Sequence, residues 1–222
     1  MRSKNHKIRK ISKSEAIIKN IENLPYFSID NFAFEKDRNY LKVTLSRLAR
    51  RKKIIPLKRG FYVSRQYLDN LEKKNLFNDY LEFITNILYS PSYLSLEYVL
   101  SEYNILSESS YNFTAITKNK TNKFKNEFGI FGYHHLKDEL FNGFDIIENN
   151  DFLIYKATKV KALFDFLYLR KNILINKEII DALRLNLDNF NKKDIIEFKK
   201  FVILENSKKM KQIFISLFKE RV

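Results

Sequence analysis

The chain has 222 residues, 45% of them hydrophobic, with four glycines and three prolines; this is enough apolar material for two small cores and excludes a disordered or fibrous chain. It has no cysteine, so disulfides and thiolate metal sites are excluded. Its net charge of +15 is uneven: residues 1–65 hold 18 Lys/Arg against 5 Asp/Glu, and residues 66–222 hold 23 against 21. A positive field concentrated on the first third points to a nucleic acid as partner. A general bias towards lysine explains less, because 8 of the 11 arginines also fall in those 65 residues. No apolar run reaches the length of a membrane span, and the basic start lacks the apolar stretch of a secretory signal. The expectation is a soluble, cytoplasmic protein without a membrane partner.

In chain order, residues 1–11 are basic and without apolar periodicity, and read as a solvated tail. The alternative is an arm that tracks DNA phosphates. Ser12-Lys13-Ser14-Glu15 matches a capping box ahead of a helix whose apolar face is Ile17, Ile18, Ile21 and Leu24, ended by Pro25. Tyr26 to Ile29 is an extended link, and Ser28 or Asp30 can cap the second helix.

The segment from Asp30 to Ser64 reads as a short helix at 30–34, a turn, a longer helix at 40–53 and a β-hairpin. Leu41, Leu45 and Leu48 make one apolar stripe on the longer helix. Its other face carries Asn39, Lys42, Val43, Ser46, Arg47 and Arg50, with Arg51 just beyond, and suits a DNA major groove. The hairpin carries Lys58-Arg59-Gly60 at its tip, where two cations can reach phosphates or a minor groove. The order is that of a winged helix-turn-helix. From Lys36 to Arg65 there are 11 Lys/Arg and one acid, Asp37.

Residues 66–90 read as a connecting helical region with Tyr80, Phe83, Ile84, Ile87 and Leu88 at helical spacing, and a domain boundary is expected within Gln66–Asn78. Pro91 to Leu100 reads as a helix with Leu96, Val99, Leu100 and Tyr103 on its apolar face. Tyr111–Thr117, Phe128–Leu136 and Asp151–Lys156 read as strands. Gly143–Ile147 pairs with the last of these through a turn at Asn149-Asn150-Asp151. From Lys159 onward the pattern is helical: one face from Val160 to Tyr168, a second from Ile179 to Leu187 capped by Asn176, then helices at Asp194–Leu204 and Ser207–Phe218. The expected fold is α+β. A DNA-binding domain with its basic tail spans 1–70, and a mixed domain with a small antiparallel sheet flanked by helices spans 76–222.

Little else suggests chemistry. His134 and His135 are adjacent on a strand and point to opposite faces, so they do not jointly chelate a metal. No phosphate-binding glycine loop or nucleophile elbow is present. No catalytic residue, cofactor or metal is expected, and the chain does not read as an enzyme. The run Lys118, Lys120, Lys123 and Lys125 reads as a solvated loop, with a phosphate or an RNA as the alternative.

Several short motifs then occur in order: Pro91-Ser92-Tyr93-Leu94-Ser95-Leu96-Glu97, Thr114-Ala115-Ile116-Thr117 with Phe124, Phe128-Gly129-Ile130-Phe131-Gly132-Tyr133-His134-His135-Leu136, Glu139-Leu140-Phe141-Asn142-Gly143-Phe144, and Ala157 to Asp165. With the first domain, this order over residues 14–170 resembles the AbiEi-type antitoxins of the AbiE abortive-infection, type IV toxin–antitoxin systems. Lys159-Val160 stands where that family has Pro-Glu. The resemblance implies a phage-defence antitoxin with two roles. Its first domain would bind double-stranded DNA at inverted repeats in its own promoter and repress transcription. Its second domain would counter a cognate nucleotidyltransferase toxin, without needing a stable complex. The alternative from the residues alone is a stand-alone winged-helix regulator whose second domain senses a ligand or partner. A nucleic-acid enzyme is the weakest reading, since no catalytic constellation can be named.

Overall fold

The computed structural model describes residues 13–32, 35–107 and 112–219. The chain divides into two compact units, Met1–Phe77 and Asn78–Val222. The basic tail at 1–11 and the capping serine, Ser12, lie outside the described residues.

The first unit opens with α1 (Lys13–Ile21), whose Ile17 and Ile21 are buried. After Pro25 the chain extends through β1 (Phe27–Ser28) into a 3₁₀ turn at Ile29–Asn31. Ser28 caps that turn: its hydroxyl accepts from the Asp30 N–H at 3.2 Å, and its own N–H donates to Asn31 Oδ1 at 2.7 Å. The short helix expected at 30–34 is this single turn; Ala33 and Phe34 lie outside the described residues. Next comes α2 (Arg38–Arg50). It starts before Tyr40 because Asp37 caps it, Oδ1 accepting from the N–H groups of Asn39 and Tyr40 at 3.0 and 2.9 Å. It stops short of Lys53 because Lys52 turns left-handed, at φ 54°.

Leu41, Leu45 and Leu48 are buried with Ile17, Ile21, Phe27, Phe32 and Ile54 in one core. Each such side chain contributes about 1.5–3 kcal/mol when fully buried. The hairpin is formed by β2 (Ile54–Lys58) and β3 (Phe61–Ser64). Gly60 makes the reversal at φ 81°, a conformation that costs a side-chain-bearing residue more than glycine. β1 pairs antiparallel with β3, so the sheet runs β1-β3-β2. α3 (Arg65–Lys73), capped by Ser64, completes the unit.

The expected connecting helix is two helices. Asn75, at φ 57°, separates α3 from α4 (Phe77–Leu88), which leads into the second unit. There the chain continues through β4 (Ser92–Leu94), α5 (Leu96–Glu102), β5 (Phe113–Thr117), β6 (Asn122–Asn126), β7 (Gly129–His135), β8 (Phe144–Asn149) and β9 (Phe152–Ala157). The strands form a mixed sheet in the order β6-β7-β5-β4-β9-β8, with β5–β7 and β4–β9 parallel. This corrects the expected small antiparallel sheet. The central strand, Ser92-Tyr93-Leu94, sits in what reads as the start of a helix. All three residues are buried, and a run that short and apolar carries no period to separate strand from helix. Tyr111 of the first expected strand lies outside the described residues; β8 pairs with β9 as the sequence suggests.

Residues 122–126 correct a second expectation, since they form an edge strand and not a loop. Phe124 packs on Tyr89 and Tyr133, ring centres 5.7 Å away, while Lys123 and Lys125 are exposed. Lysines on a sheet edge discourage pairing with another chain.

Helices α6 (Lys159–Arg170), α7 (Lys177–Asp181), α8 (Lys192–Glu205) and α9 (Lys208–Phe218) close the unit. The face expected from Ile179 to Leu187 is cut short, because α7 ends at Asp181 and Arg184 is left-handed at φ 49°. Thr158 caps α6 by accepting from the Lys161 N–H at 3.1 Å, so Lys159-Val160 is accommodated in its first turn. Lys161 and Asp165, both 0% exposed, pair at 2.6 Å. Lys161 also donates to the Leu140 carbonyl at 2.8 Å, and Asp165 accepts from the hydroxyls of Tyr93 and Ser95 at 2.9 Å each. Burial pushes Asp165 up and Lys161 down from their usual values, each towards neutrality. The cluster ties α6 to β4 and to the loop before β8.

Candidate nucleic-acid interface

The candidate face belongs to α2. Its stripe of leucines faces the core, which turns Asn39, Lys42, Val43, Ser46, Arg47 and Arg50 outward; all six are exposed. Arg51, Lys52 and Lys53 continue the exposed basic surface. No hydrogen bond or ion pair among the described residues holds the side chains of Lys42, Arg47, Arg50 or Arg51. Arg38 differs: it donates to the Ile29 carbonyl at 2.9 Å and pairs with Asp30 at 3.4 Å.

The one acid between Lys36 and Arg65, Asp37, is absorbed as the helix cap, where the helix dipole favours a carboxylate. It therefore leaves the positive face unneutralised. Val43, 48% exposed, is the one large apolar side chain on that face, suited to contact with a thymine methyl.

The hairpin tip divides the two cations expected there. Arg59 is exposed and has no side-chain partner among the described residues. Lys58 is half-buried with its ammonium 4.2 Å from the Phe61 ring centre, and burial pulls its pKa below the usual lysine value. Of the two, Arg59 is the freer to meet a phosphate. Sequence reasoning missed the Asp37 cap, although Asp before Arg-Asn-Tyr-Leu is a helix-start signal.

The second unit carries polar clusters of a different kind. Lys156 pairs with Glu82 at 2.6 Å and Glu102 at 3.1 Å, and the Tyr98 hydroxyl donates to Glu82 at 2.7 Å. Burial, then the Glu82 charge, pushes the Tyr98 phenol far above its usual value. His134 is half-buried, which lowers its pKa, while His135 is exposed with Nδ1 at 3.1 Å from the carbonyls of Lys118 and Asn119. Among the described residues no group of three or more His, Asp and Glu can hold a metal ion. No helix among them is long and apolar enough to cross a membrane.

No protein-family model matches the chain, and no curated protein sequence matches it.

Proposed function

We propose that the protein is a transcriptional repressor that binds double-stranded DNA through its first unit, used as a winged helix-turn-helix. The observation that carries this is the exposed face of α2. Three unpartnered cations (Lys42, Arg47 and Arg50) and three groove-reading side chains (Asn39, Val43 and Ser46) share one rigid helix, with Arg51 at its C-cap, beside a hairpin tipped by Arg59. The sheet order β1-β3-β2 and the element order support the reading. In it α2 lies in the major groove, Arg47 and Arg50 face bases or phosphates, and the hairpin reaches the backbone.

The resemblance to AbiEi-type antitoxins adds the target and the second role. The DNA is the protein's own promoter, at inverted repeats, and the second unit counters a cognate nucleotidyltransferase toxin in the cytoplasm, without a stable complex and without catalysis. The test is paired. Gel shift on the upstream DNA, with and without Arg47→Ala/Arg50→Ala, examines the first role. Growth with the neighbouring nucleotidyltransferase expressed from an unrelated promoter examines the second. The double variant is expected to lose repression and still protect. If it fails to protect at equal protein levels, the division of labour between the units is wrong.

A further inference from the structure

The second unit holds a cavity that DNA binding leaves unused, about 400 Å³ in volume. It opens where β4 and β9 diverge. These parallel strands pair at Leu94 and Lys156, and further back the Asn86 amide spans the gap. Its Nδ2 donates to the carbonyls of Ser92 and Tyr155 at 3.3 and 3.2 Å, and its Oδ1 accepts from the Tyr155 N–H at 2.9 Å. Phe83, Phe141, Phe144 and Tyr155 supply aromatic walls, and Leu153, 49% exposed, forms a lip. Aromatic walls select for a flat ring that can stack on them. The hydroxyls of Ser90 and Tyr155 have no hydrogen-bond partner among the described residues, so they are available to the polar edge of such a ring.

The lysine run begins beside one wall of this cavity, at Phe141. Lys118 Nζ lies 5.2 Å from the centre of the Phe141 ring. Asn119 Nδ2 donates to the Ser90 carbonyl at 3.0 Å, and Thr117 Oγ1 to the Pro91 carbonyl at 2.8 Å, which fixes the turn against the rim. Lys123 and Lys125 are explained as protection of an edge strand, but Lys118 and Lys120 lie on no strand. The acid paired with Lys118 is Asp138, at 3.9 Å and 76% exposed. Such a pair contributes little and yields to a phosphate.

We infer that this cavity binds one nucleotide, with the base among Phe141, Phe144 and Tyr155 and the phosphate at Lys118. The same chemistry comes from a free nucleotide or from the end of a single strand. This goes beyond repression and does not depend on it. Calorimetry on the full-length protein with AMP, UMP, adenosine, uridine and a 5′-phosphorylated hexanucleotide RNA tests it. Variants Lys118→Ala and Leu153→Glu, both at exposed positions, are checked for unchanged melting and unchanged affinity for promoter DNA.

The expected result is saturable binding of a nucleotide, at least fivefold weaker for the matching nucleoside. Lys118→Ala should abolish that fivefold advantage, and Leu153→Glu should weaken nucleotide binding at least tenfold. An RNA end that outcompetes AMP and UMP in Arg47→Ala/Arg50→Ala protein assigns the strand end; the reverse assigns the free nucleotide. The inference is overturned if none of these probes binds at millimolar concentration, or if both folded variants bind as wild type does.

Discussion

The two units handle charge in opposite ways. In the second, the buried and half-buried cations meet acids within the unit: Lys156 with Glu82 and Glu102, Lys159 with Asp194, Lys161 with Asp165, Arg170 with Glu97 and Lys171 with Glu205, although exposed lysines such as Lys123 and Lys125 do not. In the first, Lys42, Arg47, Arg50, Arg51 and Arg59 have no such partner among the described residues, and Asp37, the one acid between Lys36 and Arg65, is spent on a helix cap. Unpaired like charges on a rigid helix repel one another and destabilise the compact state. A partner that brings the opposite charge removes that cost. Internal pairing serves architecture, whereas its absence on α2 leaves a surface whose counterions an external polyanion can displace.

The sharpest way to break this comparison is to unpair a buried charge in the second unit. Lys161→Met leaves Asp165 buried without its cation and should cost about 3–5 kcal/mol of that unit's stability. Promoter binding at a temperature where the first unit stays folded should be unaffected. Adding Asp165→Leu should recover part of the loss, and chemical denaturation of the single and double variants measures it. A double variant less stable than Lys161→Met would show that the pair matters for more than charge.

The next largest effect is expected on α2. Replacing Arg47 or Arg50 by alanine should weaken operator binding by about 1–3 kcal/mol if that arginine makes a bidentate base contact. Neither change should lower melting, because neither side chain has an internal partner whose loss would cost stability. A smaller effect separates the hairpin cations. Arg59→Ala should lower the slope of log affinity against log salt by about one. Lys58→Ala should lower it less, because its ammonium is drawn onto Phe61. Equal slopes for the two variants would put both side chains on the phosphates.

The smallest effect is a pH dependence in the second unit. Burial pushes Glu205 up, but hydrogen bonds from Lys171 and Ser207 outweigh it and hold the carboxyl below its usual 4.5. A depressed carboxyl stabilises the fold above its unfolded pKa, and the contribution disappears as pH falls through the folded value. Melting temperatures should therefore fall on acidification below about pH 4.5, less steeply for Glu205→Gln than for wild type. Identical acid limbs would show that this pair does not contribute.

Legibility in the sequence also differs between the units. The first is built from local signals: the leucine period of α2 and the Gly60 reversal both lie within about thirty consecutive residues. The second depends on distant pairings. β4 carries three buried residues and no period, so its central place between β5 and β9 is set by partners far along the chain. The parallel β5–β7 pair is hidden for the same reason. For the candidate face on α2, outward position was legible from the helical period, but the Lys58–Phe61 contact was not. The aromatic cavity was not legible at all, since Phe83, Phe141, Phe144 and Tyr155 come from separate elements.

The central claim is that the unpartnered basic face of α2 meets double-stranded DNA. Fluorescence anisotropy with the labelled upstream promoter, titrated over a range of salt concentrations, tests it most directly when wild type is compared with Arg47→Ala/Arg50→Ala. The account predicts tight binding by wild type that weakens steeply with salt, and a double variant that binds more weakly with a shallower slope. Equal affinities and equal slopes for the two proteins, or no binding by folded wild type at low salt, would contradict it.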